Sequence, residues 1–149
     1  MYAIARKSVV RFILDSIAEL PASDMPVEYL DWDAHGETQE LPNADLIGAI
    51  GFAYTERDKF CDIVFGIGMV TFTDPNILRL TDYADFFSKR LQAESAFPAY
   101  DPNTGDRIGM ITVFDGTTVT PINRVEIRPA LSLQASARLV LDGAGAETP

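Results

Sequence analysis

The run Asp31-Trp32-Asp33-Ala34-His35-Gly36 places carboxylates two residues apart ahead of a glycine, as at the opening of a calcium-binding loop. Such a loop needs a bidentate acid at its twelfth position, where this chain has Pro42, and His35 replaces an oxygen ligand. The stretch therefore reads as an acidic surface loop, and no metal is expected. Phe114-Asp115-Gly116-Thr117 matches the second half of the phosphatase pattern Asp-x-Asp-Gly-Thr, but the nucleophile would fall at Val113, which has no carboxylate. An Asp-Gly turn between two strands is the reading that remains. Gly66 and Gly68 begin a dinucleotide-type glycine pattern, yet residue 71 is a threonine and the pair lies within a strand-like run. His35 is the single histidine and Cys61 the single cysteine, and Asp62 beside Cys61 disfavours a thiolate. One cysteine also excludes an intramolecular disulfide and a multi-cysteine zinc site. No catalytic constellation emerges, so neither an enzyme nor a cofactor is expected.

The elements that carry these residues follow from periodicity. Val10, Ile13, Leu14 and Ile17 recur at helical spacing, predicting a first helix near residues 3–20 that ends before Pro21. On another face Arg11 and Asp15 stand four apart, in reach of each other. Val27 to Trp32 reads as a short strand and residues 33–45 as an exposed, aperiodic loop. Ile47–Tyr54 and Phe60–Thr73 flank the charged turn Thr55–Lys59, predicting a hairpin with a long second strand. In that strand Ile63, Phe65, Ile67 and Met69 share one face, with Gly66 and Gly68 on the other. Two glycines on one face predict a bulge or close approach by another backbone.

Asp74-Pro75 opens a second helix with the stripe Ile77, Leu80, Ala84, Phe87 and Leu91, its regular part beginning there or at Thr81-Asp82. Phe97 to Asp106, with two prolines and Asn103-Thr104-Gly105, reads as a turn region. Strands follow at Arg107–Phe114 and at Thr117–Arg128, the latter broken by Pro121. The last strand has Leu131, Leu133, Ala135, Ala137, Leu139 and Leu141 alternating with more polar positions. This order predicts a single α+β domain over residues 1–142, a mostly antiparallel sheet flanked by two main helices. Residues 143–149 read as a disordered tail.

The 149 residues contain 47% hydrophobic and 23% charged side chains, the mix of one globular domain rather than a disordered chain. Arg11 and Asp15 interrupt the N-terminal apolar stretch, so no secretory signal is read there, and no apolar run is long enough to span a bilayer. The net charge of −10 argues against a general nucleic-acid binder, which needs a basic stripe to displace phosphate counterions. Seven acids, Asp24, Glu28, Asp31, Asp33, Glu37, Glu40 and Asp45, crowd residues 24–45 with no lysine or arginine among them. That segment reads as a solvated acidic face, as a surface repelling an anion, or as a docking site for a basic partner.

In the order of its elements the chain resembles the tail terminator (tail-completion, or neck) proteins of tailed bacteriophages. The stretches that carry the resemblance are Val9-Val10-Arg11-Phe12-Ile13-Leu14, the central strand running into Thr73-Asp74-Pro75, the helix from Asp82 to Leu91, and the ending Leu131 to Leu141. The acidic segment 24–45 is longer and more charged than that pattern. The resemblance implies a structural virion protein, assembled in the host cytoplasm, that forms a hexameric ring. The ring caps the tail tube and joins the tail to the head-neck connector. Tube, neck and connector proteins are the implied partners, with sheath as a further candidate. DNA passes through the lumen without sequence-specific binding, and no membrane is involved. An acidic lumen would keep that DNA from sticking. The alternatives are a head-completion or connector subunit, and a small acidic enzyme or ligand-binding domain built on the Asp31–Glu37 loop.

Overall fold

The first helix, α1 (Tyr2–Ala18), is followed by a short strand β1 (Val27–Tyr29) and by the long pair β2 (Asp45–Glu56) and β3 (Phe60–Val70). A 3-10 turn at Pro75–Ile77 leads into α2 (Leu78–Arg90). The remaining strands are β4 (Ala96–Tyr100), β5 (Arg107–Val113), β6 (Thr118–Val119), β7 (Asn123–Val125) and β8 (Arg128–Leu141). The structure, a computed structural model, describes residues 1–36 and 39–143. The predicted tail 143–149 thus lies, apart from Gly143, outside the described residues, as does Glu37.

Hydrogen bonding joins the strands into one eight-stranded sheet of order β1-β2-β3-β8-β5-β4, curled about its longest strand. β8 makes that curl necessary. One edge pairs with β3 from Phe60↔Val140 to Val70↔Ala130, while β7, β6 and β5 share its other edge in turn. All these pairs are antiparallel, and only β1 runs parallel to its neighbour β2. A parallel neighbour needs a long crossover, which the connection between β1 and β2 supplies; of its described residues, Trp32, Leu41 and Ala44 pack on the sheet.

Alternation along β3 and β8 separates two faces. Cys61, Ile63, Phe65, Ile67 and Met69, with Leu131, Leu133, Ala135, Ala137 and Leu139, turn to the face that both helices cover. α1 contributes Ala5, Val9 and Ile13, and α2 contributes Leu80, Tyr83 and Phe87, with Leu91 just beyond its end. The ring of Phe97 locks the middle of this core. It stacks on Phe12 at 4.3 Å and meets Phe65 edge-on at 6.3 Å. A second, smaller core on the opposite face gathers Leu41, Ala44, Leu46, Val70 and Ala130 under Leu30, Trp32 and Val125.

Several expectations change here. Of the predicted stripe Val10, Ile13, Leu14 and Ile17, Ile13 is buried and Ile17 packs against the core, but Leu14 is exposed, and the buried residues of α1 are Ala5, Ser8, Val9, Ile13 and Ser16. Phe12, Ile13 and Leu14 are consecutive apolar residues, so spacing alone left the helix free to rotate by one position; small Ala5 and Ser16 let it sit close. Phe97–Tyr100 is not a turn but most of β4, paired with β5. Pro98 is tolerated because β4 is the edge of the sheet and its missing N–H breaks no inner ladder. The turn itself is confined to 101–106, where the Asp101 carboxylate accepts the Asn103 N–H at 2.8 Å. The predicted strand 117–128 divides at Pro121 into β6 and β7, both on β8. β1 stops at Tyr29, although the Trp32 N–H still reaches the Ala49 carbonyl at 3.0 Å.

Candidate functional site

The acidic segment does not form one surface. Arg6, on α1, donates to Asp31 at 2.5 Å and to Asp33 at 3.4 Å. Asp31 also accepts the N–H groups of Asp33 and Ala34, folding the loop back on itself. Asp33 reaches across to accept the N–H groups of Gly51 (2.8 Å) and Phe52 (3.3 Å). Those N–H groups are freed by a bulge in β2, where the register slips between Ile50 and Ala53. The calcium-loop look-alike is thus a clamp tying α1, the crossover and the β2 bulge together. Among the described residues no group of three His, Cys, Asp or Glu side chains gathers to hold a metal.

Asp45 leaves the surface altogether. It opens β2 on the helix-covered face and is fully buried. Its carboxylate accepts from Arg79 Nε (2.8 Å) and Nη2 (3.0 Å), from the Tyr83 hydroxyl (2.5 Å) and from the Phe72 N–H (2.8 Å). Beside it Asp74 accepts the Arg79 and Leu80 N–H groups at 3.0 and 2.9 Å and the Thr71 hydroxyl at 3.0 Å. Asp74 thereby satisfies the first turn of α2, which has no side-chain cap of its own. Burial pushes the Asp74 carboxyl up, but the N–H groups of Leu80 and Arg79, the Thr71 hydroxyl and the Arg79 charge outweigh it and hold it below its ordinary value. Burial and the Asp45 hydrogen bond both push the Tyr83 hydroxyl up, and the Asp45 hydrogen bond keeps Arg79 firmly protonated. Every charge here has an opposite partner, so the cluster fixes β2 to α2 and is built for rigidity.

Asp24, Glu28 and Glu40 remain solvent-exposed, and among the described residues none has an ion-pair partner. Glu28 lies on the edge strand β1, Asp24 leads into it, and Glu40 lies on the crossover. Among the described residues of the segment, these three are exposed acids with no ion pair, free to face DNA or a partner.

Gly66 and Gly68 sit where other groups come close. A Cβ on Gly66 would stand 2.8 Å from the Ile50 carbonyl and 3.0 Å from that of Leu133; on Gly68 it would stand 2.7 Å from the Trp32 indole. At Gly66 the Ile50 Cγ2 methyl is equally close, at 2.8 Å, so backbone and side chain both confine it; at Gly68 the neighbour is the Trp32 side chain, whose Nε1 donates to the Gly68 carbonyl at 3.0 Å. Periodicity could not reveal that pairing, since Trp32 is 36 residues away.

Two surface features had no sequence signal. A groove of about 540 Å³ lies between the end of α1 and α2, lined by the apolar Leu20, Pro21, Ala22 and Phe86, by Tyr83, and by the charged Arg79, Asp82, Asp85, Lys89 and Arg90. At the β7–β8 hairpin, Glu126 and Ile127 form a two-residue turn with φ of 49° and 63°. No protein-family model matches the chain, and a search of curated proteins finds no match. No helix among the described residues is long and apolar enough to cross a membrane.

Proposed function

We propose that this chain is the ring-forming subunit of a bacteriophage tail terminator, capping the tail tube and joining it to the neck while DNA passes through the lumen. The observation that carries the reading is the order of elements on one curled sheet. An N-terminal helix, a long hairpin, a second helix and a closing long strand follow in the order the resemblance implies, with both helices on one face. Exposed Asp24, Glu28 and Glu40, unneutralised beside an edge strand, supply the negative surface that a DNA conduit needs. A closed ring uses two different patches on each subunit, so the contact is head-to-tail. Electron microscopy of the purified chain mixed with tail tubes tests this. Rings seated at tube ends, with a mass near six subunits, are expected. A chain that ignores tube ends but binds the head connector is instead a head-completion subunit. Free monomer under all conditions removes both.

A further inference from the structure

Two isoleucines of this chain occupy the left-handed region that β-branched residues avoid. Ile77, at φ 50°, packs against the main core, and its N–H donates to the Asp74 carbonyl at 3.0 Å. Burial and the cap network explain its strain. Ile127, at φ 63°, is 92% exposed and belongs to neither core. Its turn partner Glu126 also has positive φ, where Asn-Gly is the relaxed pair. Among the described residues no core packing repays either the strain or the exposure. The hairpin is nevertheless held firmly. Arg128 at its base donates to the Pro42 carbonyl at 2.6 Å and stacks over the Phe72 ring at 4.8 Å. Strain held rigidly at an exposed apolar tip is a feature of binding sites.

We infer that Ile127 is a knob that inserts into the groove floored by Leu20, Pro21, Ala22 and Phe86 on a second copy of this chain. The choice of a second copy rests on charge. The hairpin carries exposed Arg124 and Glu126, neither with an ion-pair partner among the described residues. Of the groove's charged lining, Arg79 is taken by Asp45 and Arg90 by Glu19, which leaves Asp82 without an ion pair among the described residues and Lys89 held only by the exposed, same-helix Asp85 at 2.9 Å as the complementary set. Arg124 meets Asp82 and Glu126 meets Lys89 as the knob enters. Knob and groove share no residue, so the contact is heterologous and repeats from subunit to subunit. Exposed Val119 and Ile122, in the segment leading to the hairpin, extend the apolar side of the contact. The inference rests on the self-association that the ring reading requires, and names its contact.

Replacing Glu126→Asn together with Ile127→Gly separates docking from folding, because the two roles predict opposite signs. Relaxed turn chemistry raises Tm by about 2–4 °C, while loss of the knob weakens self-association by at least about tenfold, read by sedimentation. Ala22→Arg in the groove produces the same weakening without the rise in Tm. Mixing an Ile127→Cys chain with an Ala22→Cys chain under mild oxidation gives a disulfide-linked pair, which a mixture of Ile127→Cys with Leu14→Cys does not. Association unchanged in the Asn-Gly variant, or no selective cross-link, overturns the knob; rings that persist in that variant leave the ring reading standing. Selective cross-linking in an open chain, or in a dimer, keeps the knob and removes the ring. A wild-type chain that stays monomeric at every concentration overturns both.

Discussion

Asp45 and Asp33 show how one residue type in one acidic stretch takes different jobs. Asp45 is buried with Arg79 and Tyr83 against it, so removing its charge strands a guanidinium and a hydroxyl inside the fold. Asp45→Asn should lower the unfolding free energy by about 3–5 kcal/mol, measured by urea denaturation. A change within about 0.5 kcal/mol, the range of a surface substitution, would return Asp45 to the solvent. Asp74 adds a pH dependence whose sign is fixed by its lowered carboxyl. Its contribution is complete above the ordinary value of 3.8 and is lost as pH falls through the lower folded value. Stability curves of the wild type and Asp74→Asn should therefore differ most near neutrality and converge under acid, as followed by circular dichroism. Curves that stay parallel down to pH 2 would contradict that assignment. Hydrophobic spacing could not identify these acids as structural, because their partners lie up to 38 residues along the chain.

Among the elements, the long hairpin, α2 and the alternating last strand are legible because each repeats its own period over many residues. β4 is not, since Pro98 reads as a turn until the sheet shows that its strand is an edge. The crossover 30–44 is the least legible. It has no period, yet it pins Trp32 onto β3 and covers the second core with Leu41 and Ala44. Gly68 is the slot for that indole, and Trp32 is the single tryptophan, so the element reports on itself. Gly68→Val should expel the ring, shift its fluorescence emission to the red and cost about 1–3 kcal/mol of overpacking. Unchanged emission would mean that the indole does not depend on the slot. Gly48, unremarkable in the sequence, is more tightly confined: a Cβ there would stand 1.6 Å from the Leu30 carbonyl. Only the return of the crossover alongside β2 creates that constraint.

Over the whole molecule, the net charge of −10 conceals a division of labour. Asp31 and Asp33 share Arg6, Asp45 and Asp74 share Arg79, and Asp62 lies between Arg57 and Arg138. Within residues 24–45, the described acids left without an ion pair are Asp24, Glu28 and Glu40. Changing Asp24, Glu28 and Glu40 together to lysine should create salt-sensitive DNA retention in a gel-shift assay, absent from the wild type, with the melting temperature little altered. Retention that is equally weak in both chains would place those acids away from any DNA path.

Composition and periodicity by themselves determined an α+β chain with two amphipathic helices, a long hairpin and an alternating final strand, because hydrophobic period is a local property. They also located the acids, but not their roles. Which acids face water, which glycines admit a neighbour and which isoleucine stands strained at a tip are decided only by the tertiary structure. Each depends on a partner far away in the chain, and the free energy of a buried charge or an exposed apolar tip is set by what surrounds it.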